Sequence, residues 1–177
     1  MLPRFFISLF ALVIAVSSSA TPPTGTAPSH GWGDNIAWMS MKEGLIEASA
    51  TKKPVMLIIW KTWCGACKAL RPLFAASPEI ASESSSFIMV NTVDYEEPTG
   101  ISFSTDGCYI PRILFLTPEG EVITENYAQN HGAVEKYKYF HSGPNYVVAT
   151  MIAVKTRNAA EVLASYEVPA SLSGQDL

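Results

Sequence analysis

Two cysteines, Cys64 and Cys67, stand three residues apart in Trp63-Cys64-Gly65-Ala66-Cys67-Lys68. Ahead of them runs Val55-Met56-Leu57-Ile58-Ile59-Trp60, an apolar stretch that reads as a buried strand. Behind them Ala69-Leu70-Arg71-Pro72-Leu73-Phe74-Ala75-Ala76 reads as a helix. A dithiol at a strand-to-helix junction suits thiol–disulfide exchange. With the helix starting near Cys64, the spacing puts Cys67 on the same face, one turn on. The first sulfur then lies at the helix N-terminus, where unpaired N–H groups and the macrodipole favour a thiolate. The second is recessed and close enough to close a small disulfide ring. Exchange requires that asymmetry between an exposed nucleophile and a sheltered resolver.

Two other readings of the pair stand beside this one. A C-x-x-C can be half of a zinc site, although zinc usually wants a second ligand pair at similar spacing. Cys108, His30, His131 and His141 are the other candidates, and they are scattered without pattern. The pair can also be a purely structural disulfide, but so short a loop removes little entropy from the unfolded chain.

The elements that must position the cysteines can be read along the chain. Ile36-Ala37-Trp38 is an edge-strand candidate, and Ser40 with Glu43 forms a capping box opening a helix to about Thr51. Pro72 falls in the second turn of the cysteine helix, where it removes a backbone bond and predicts a kink. Ser77-Pro78 predicts a short further helix to about Ser82. Phe87-Ile88-Met89-Val90-Asn91-Thr92-Val93 is apolar enough for a central strand. An acidic connection over residues 94–107 reads as a solvated loop. Arg112-Ile113-Leu114-Phe115-Leu116 and Val122-Ile123-Thr124 then flank Pro118-Glu119-Gly120-Glu121, a hairpin signal. Residues 126–145 read as loop, and apolar residues at helical spacing predict a closing helix over 146–166. Tyr137, Tyr139 and Phe140 are expected to cover the sheet edge.

Length and composition bound the rest. The 177 residues, 48% apolar and 16% charged, suit one globular domain with a substantial core. Residues 1–20 have a short basic start at Arg4, an apolar stretch over 5–16, and small residues Ser18-Ser19-Ala20. That pattern is a secretory signal peptide, and it leaves no stable membrane anchor once removed. Residues 21–30 read as a flexible leader, 31–168 as the domain and 169–177 as a loose tail. The formal net charge of −4 argues against nucleic-acid binding, which needs a basic face. Three cysteines are too few for a disulfide-stapled scaffold. The odd one, Cys108, is either a small buried apolar residue or a thiol on the active-site rim.

The element order β-α-β-α-β, then a hairpin and a helix, resembles the thioredoxin fold, an α/β architecture with a central mixed β-sheet flanked by helices. The likeness extends to residues. Thioredoxin-like oxidoreductases place W-C-x-x-C after a central strand, with a proline five residues past the second cysteine, as Pro72 is here. They place a cis-proline before the hairpin, and Ile110-Pro111 in Tyr109-Ile110-Pro111-Arg112-Ile113-Leu114 matches it. More narrowly, WCGACKAL, FIMVN, YIPRILFL and KYKYF resemble the small endoplasmic-reticulum members related to the anterior gradient proteins. Those proteins keep one cysteine of the pair; this chain keeps both.

The resemblance implies a thiol–disulfide oxidoreductase of the secretory pathway, acting on client proteins with glutathione as redox partner. It implies catalysis by Cys64 and Cys67, as a redox-active disulfide, and substrate binding by Trp63, Gly65, Ala66, Ile110 and Pro111. Neither metal nor organic cofactor is implied. The alternative is a non-enzymatic client-binding or chaperone module. Two departures stand out. The buried acid that thioredoxins carry six residues before the first cysteine is Ile58 here. The chain also ends Gly174-Gln175-Asp176-Leu177, a poor lumenal retention signal, so secretion stands beside the endoplasmic reticulum lumen as a location.

Overall fold

The structure, a computed structural model, describes residues 25–104, 106–124 and 137–165. The expected signal peptide, the start of the leader, His131 and the tail lie outside the described residues.

Four strands form one sheet. They are β1 (Trp38–Met39), β2 (Val55–Trp60), β3 (Ile88–Val93) and β4 (Arg112–Leu116), in the order β1-β3-β2-β4. β1 and β2 both run parallel to β3, and β4 runs antiparallel to β2. The sheet is therefore mixed. β2 is central and all six of its residues are buried, which is why it reads as an unbroken apolar run rather than an alternation. The alternation survives in what each residue faces. Met56, Ile58 and Trp60 enter one core with both cysteines; Val55, Leu57 and Ile59 enter the other with Ala48 and Val90.

Helices cover both faces. α1 (Met41–Thr51) opens at Ser40, whose hydroxyl accepts from the Glu43 N–H and donates to its carboxylate. It brings Ala48 to the second core. α2 (Gly65–Ala75), α3 (Pro78–Ser84) and α4 (Pro144–Ser165) bring Phe74, Ile80, Val147, Met151 and Val154 to the cysteine side. Pro72 lies inside α2, and Ser77 caps α3 through the Ile80 N–H. No helix among the described residues is long and apolar enough to cross a membrane.

The expected hairpin is reduced. Val122 pairs with Leu116 as an isolated bridge, in which Ile123 N–H donates to Phe115 O, and no second hairpin strand is present among the described residues. Tyr139 takes over that edge further along, its carbonyl accepting from Ile113 N–H at 2.9 Å. At the opposite edge, residues 25–30 lie against the sheet. Ala27 N–H donates to Trp38 O and the Asn91 amide donates to Pro28 O, which draws the end of the expected leader onto β1 and β3.

Candidate redox site

β2 delivers the chain to the end of the sheet, and α2 begins at once with Cys64 as its N-cap. Cys64 and Cys67 are joined in a disulfide with their Cα atoms 5.3 Å apart. The Cys67 N–H points at Cys64 Sγ from 3.1 Å, satisfying one of the donors a helix start leaves free. On reduction that N–H and the helix dipole face whatever charge Cys64 carries.

The expected contrast in exposure between the two sulfurs is small in this oxidised state. Cys64 is 4% exposed and Cys67 1%, both packed in the core with Trp32, Trp60 and Phe74. What stands clear is their surround. Trp63 is 73% exposed, and Gly65 and Ala66 are exposed beside it.

The strand directions bring a second loop to the same end. β3 runs parallel to β2 and ends there, and antiparallel β4 starts there. Ile110 and Pro111 immediately precede β4; their peptide bond is cis, and Ile110 O lies 3.7 Å from Cys64 Sγ. A disulfide sulfur has no proton to donate, so this is a contact now and an acceptor for the thiol after reduction. Trp63, Gly65 and Ala66 thus flank Cys64 and Cys67 in the chain, and Ile110, with Pro111 next to it, meets Cys64 across the fold. Ile58 is fully buried in the same core as both cysteines, filling with hydrocarbon the place where an acid was noted missing.

Behind the two loops lies a charge network that the sequence reading passed over. Arg112, first residue of β4, is 0% exposed. Its guanidinium donates to Gly107 O at 2.9 Å and pairs with Glu97, whose other oxygen is 2.6 Å from Lys61 Nζ. Lys61 also donates to Asp94 O. The chain thereby ties the loop before Cys64 to the loop before Pro111 through one carboxylate. Burial opposes ionisation of Glu97, but the Lys61 hydrogen bond and the Arg112 and Lys61 charges outweigh it and hold the carboxyl below its usual range. A buried arginine stripped of its partner costs about 3–5 kcal/mol, so this pair differs in kind from the surface pair Arg157–Glu161 on α4. The available signal was a lone arginine opening an otherwise apolar strand. Lys61 belongs to this network; Lys68 is exposed on α2.

Asp94 sits at the turn out of β3 with φ at +50°, a conformation Asp tolerates better than most residues. Its carboxylate accepts from Thr62 N–H at 3.0 Å and from the Thr62 hydroxyl at 3.2 Å. Cys108 is a free, exposed cysteine. It borders a cavity of about 370 Å³ shared with Lys61, Asp94, Glu97 and Arg112, on the same rim. Among the described residues no group of three His, Cys, Asp or Glu side chains is placed to hold a metal ion.

A family model described as thioredoxin-like matches residues 37–118, spanning β1 to β4. Anterior gradient protein 2-B of Xenopus laevis is 37% identical over 118 residues, covering 63% of this chain and 71% of that protein. The chain belongs to the anterior gradient family. Human anterior gradient protein 3 is 39% identical over 109 residues, covering 60% of this chain, which spans 63% of that relative. Among solved structures, a DsbH oxidoreductase is similar at a TM-score of 0.42 and 17% identity, over 58% of this chain and 80% of its own. This member of the anterior gradient family has a thioredoxin-like domain, and it carries a complete, disulfide-bonded C-x-x-C pair.

Proposed function

We propose that this protein is a thiol–disulfide oxidoreductase of the secretory pathway, exchanging disulfides with client proteins through Cys64 and Cys67. The observation that carries the reading is the closed pair at the start of α2, with the Ile110 carbonyl alongside. In the reducing direction the Cys64 thiolate attacks one sulfur of a client disulfide. The other client sulfur leaves as a thiolate and takes a proton. Cys67 then gives up its proton and attacks Cys64 Sγ, releasing the second client thiol and leaving the enzyme pair oxidised. Two electrons have passed to the client. Two glutathione thiols restore the dithiol and leave as glutathione disulfide. Run in reverse, the steps introduce disulfides.

Trp63, Gly65, Ala66, Ile110 and Pro111 border the pair and would hold the client chain, extended backbone lying along 110–111. Possession of both cysteines favours the finer likeness to thioredoxin domain-containing protein 12. The apolar run over 5–16 supports entry into the secretory pathway, with cleavage after Ala20. The endoplasmic reticulum lumen is the proposed site of action, and secretion is the alternative.

Insulin reduction with wild type and Cys67→Ala tests the reading. Turnover by wild type with glutathione, lost in Cys67→Ala, is the expected result. The second reading, a client-binding module that tethers without turnover, rests on the resemblance to the anterior gradient proteins, which keep one cysteine of the pair. It gains if both proteins bind reduced clients and neither reduces insulin.

A further inference from the structure

Beside the cysteines, two large aromatic side chains stand in solvent. Trp63 is 73% exposed and Tyr95 is fully exposed. Both line a cavity of about 300 Å³ with Lys61, Thr62 and Asp94. Two exposed rings next to a reactive pair would ordinarily suggest an apolar anchor for the client. The floor argues for a different occupant. Asp94 lines the cleft with both aromatic residues, and its carboxylate is held in place by Thr62. Thr62 donates to Oδ1 twice, and the left-handed backbone at Asp94 fixes the turn.

The nearby cations are already engaged. Lys61 pairs with Glu97 and donates to the Asp94 carbonyl; Arg112 is buried and pairs with the same Glu97. Glu96 adds a further carboxylate, which accepts from Val93 N–H. Asp94, Glu96 and Glu97 against Lys61 and Arg112 leave these five side chains one charge negative. Aromatic faces attract cations through the ring quadrupole, and a carboxylate beside them adds to that attraction.

Building on the proposed exchange activity, we infer that the Trp63–Asp94–Tyr95 cleft is a specificity subsite for a basic side chain, Lys or Arg, near the client's reacting cysteine. Trp63 neighbours Cys64 in the chain, so a side chain in the cleft belongs to a residue close to the attacked sulfur. The subsite selects clients by charge and takes no part in electron transfer. Each contribution is modest. A cation over an exposed ring and a partly exposed ion pair together favour a basic over an acidic neighbour by about fivefold to tenfold.

The test uses two disulfide-linked peptides identical except for Arg or Glu beside the cysteine, together with a small uncharged disulfide. Second-order rate constants for reduction by the full-length reduced protein are measured at low salt. The quantity read is the Arg-to-Glu ratio within each protein, which cancels any general change in reactivity. Wild type should prefer the Arg peptide by about fivefold to tenfold, and the preference should shrink in high salt. Asp94→Asn keeps the acceptor for Thr62 and tolerates the same backbone, so it removes the charge alone. It should bring the ratio within about twofold of unity, and Tyr95→Leu should reduce it partway.

An unchanged preference in Asp94→Asn would assign the effect to the overall negative charge of the protein and overturn the subsite. So would equal rates for the two peptides in wild type. In either case the exchange reading survives if the small disulfide is reduced. Failure on all three disulfides sinks that reading, and the subsite with it.

Discussion

Ile110 O lies 3.7 Å from Cys64 Sγ, although 46 residues separate them in the chain. Two loops meet at that contact, and the Lys61–Glu97–Arg112 network joins them from behind. The loop that carries this carbonyl is therefore held by charges that never touch the sulfur.

Glu97→Gln should show this dependence. It removes one charge and leaves Arg112 and Lys61 facing each other across a neutral amide. The expected cost is about 3 kcal/mol, within the range for breaking a buried pair. Exchange should slow as well, because Gly107 and the 107–111 loop are held by the same arginine. Adding Arg112→Met should recover most of the stability without restoring the rate. Urea titrations and rates on a peptide disulfide check both parts. Stability unchanged in Glu97→Gln would mean that the network contributes nothing.

The two cysteines should separate cleanly by trapping. With Cys67→Ser, the mixed disulfide on Cys64 lacks its resolving thiol and accumulates. Cys64→Ser should trap little, since Cys67 lies within the helix and follows its start rather than capping it. Non-reducing electrophoresis of trapped clients reads the difference. Equal trapping by the two variants would contradict the assigned order of attack.

His141 should make the fold acid-sensitive. Its ring is buried, with Nε2 3.0 Å from the Thr150 hydroxyl and Nδ1 3.3 Å from Tyr139 O. Burial pushes its pKa down to about 4, only partly opposed by the Tyr139 carbonyl. The folded state therefore binds fewer protons than the unfolded state between the ordinary histidine value and about 4. Stability is complete above pH 6.5 and falls as the pH drops through that window, by about 3 kcal/mol in all. Glu97, also held below its usual range, adds a loss at lower pH. Denaturant midpoints from pH 7 to 4 should slope for wild type and flatten for His141→Gln over the upper part. An equal slope in both proteins would place the sensitivity elsewhere.

Cys108 should react with a thiol reagent in the folded, oxidised protein. It is exposed while the other two cysteines are joined. One label per chain before denaturation, at Cys108 by peptide mapping, is the expected result. If labelling requires denaturant, the thiol belongs to the core, and a role in mixed disulfides with glutathione or in dimers goes with it.

The sheet and the dithiol were legible because each rests on a local pattern. The run Val55–Trp60 is apolar throughout since both faces of β2 are buried, and W-C-x-x-C sits where the strand stops. Ser40 and Glu43, or Ser77 and Pro78, announce helices within four residues. The second hairpin strand amounts to less among the described residues, a single Leu116–Val122 bridge closed by Thr117 N–H to Glu121 O and Ile123 N–H to Phe115 O. Glu97 and Asp94 were hidden for a different reason. In sequence they belong to a run of acids that looks solvated, and only the return of β4 brings Arg112 against Glu97. Long-range pairing of that kind leaves no periodic trace.

Both edge strands of the sheet already hold backbone bonds to other segments. Ala27 bonds to Trp38 on one side, and Ile123 and Tyr139 bond to β4 on the other. Bare strand edges template pairing with other chains. With the proposed exchange activity, the protein would meet such chains among its clients, each with backbone groups seeking partners. With those edge bonds in place, a client held at the cysteine loops would be free to leave, where an open margin would recruit it as a fifth strand.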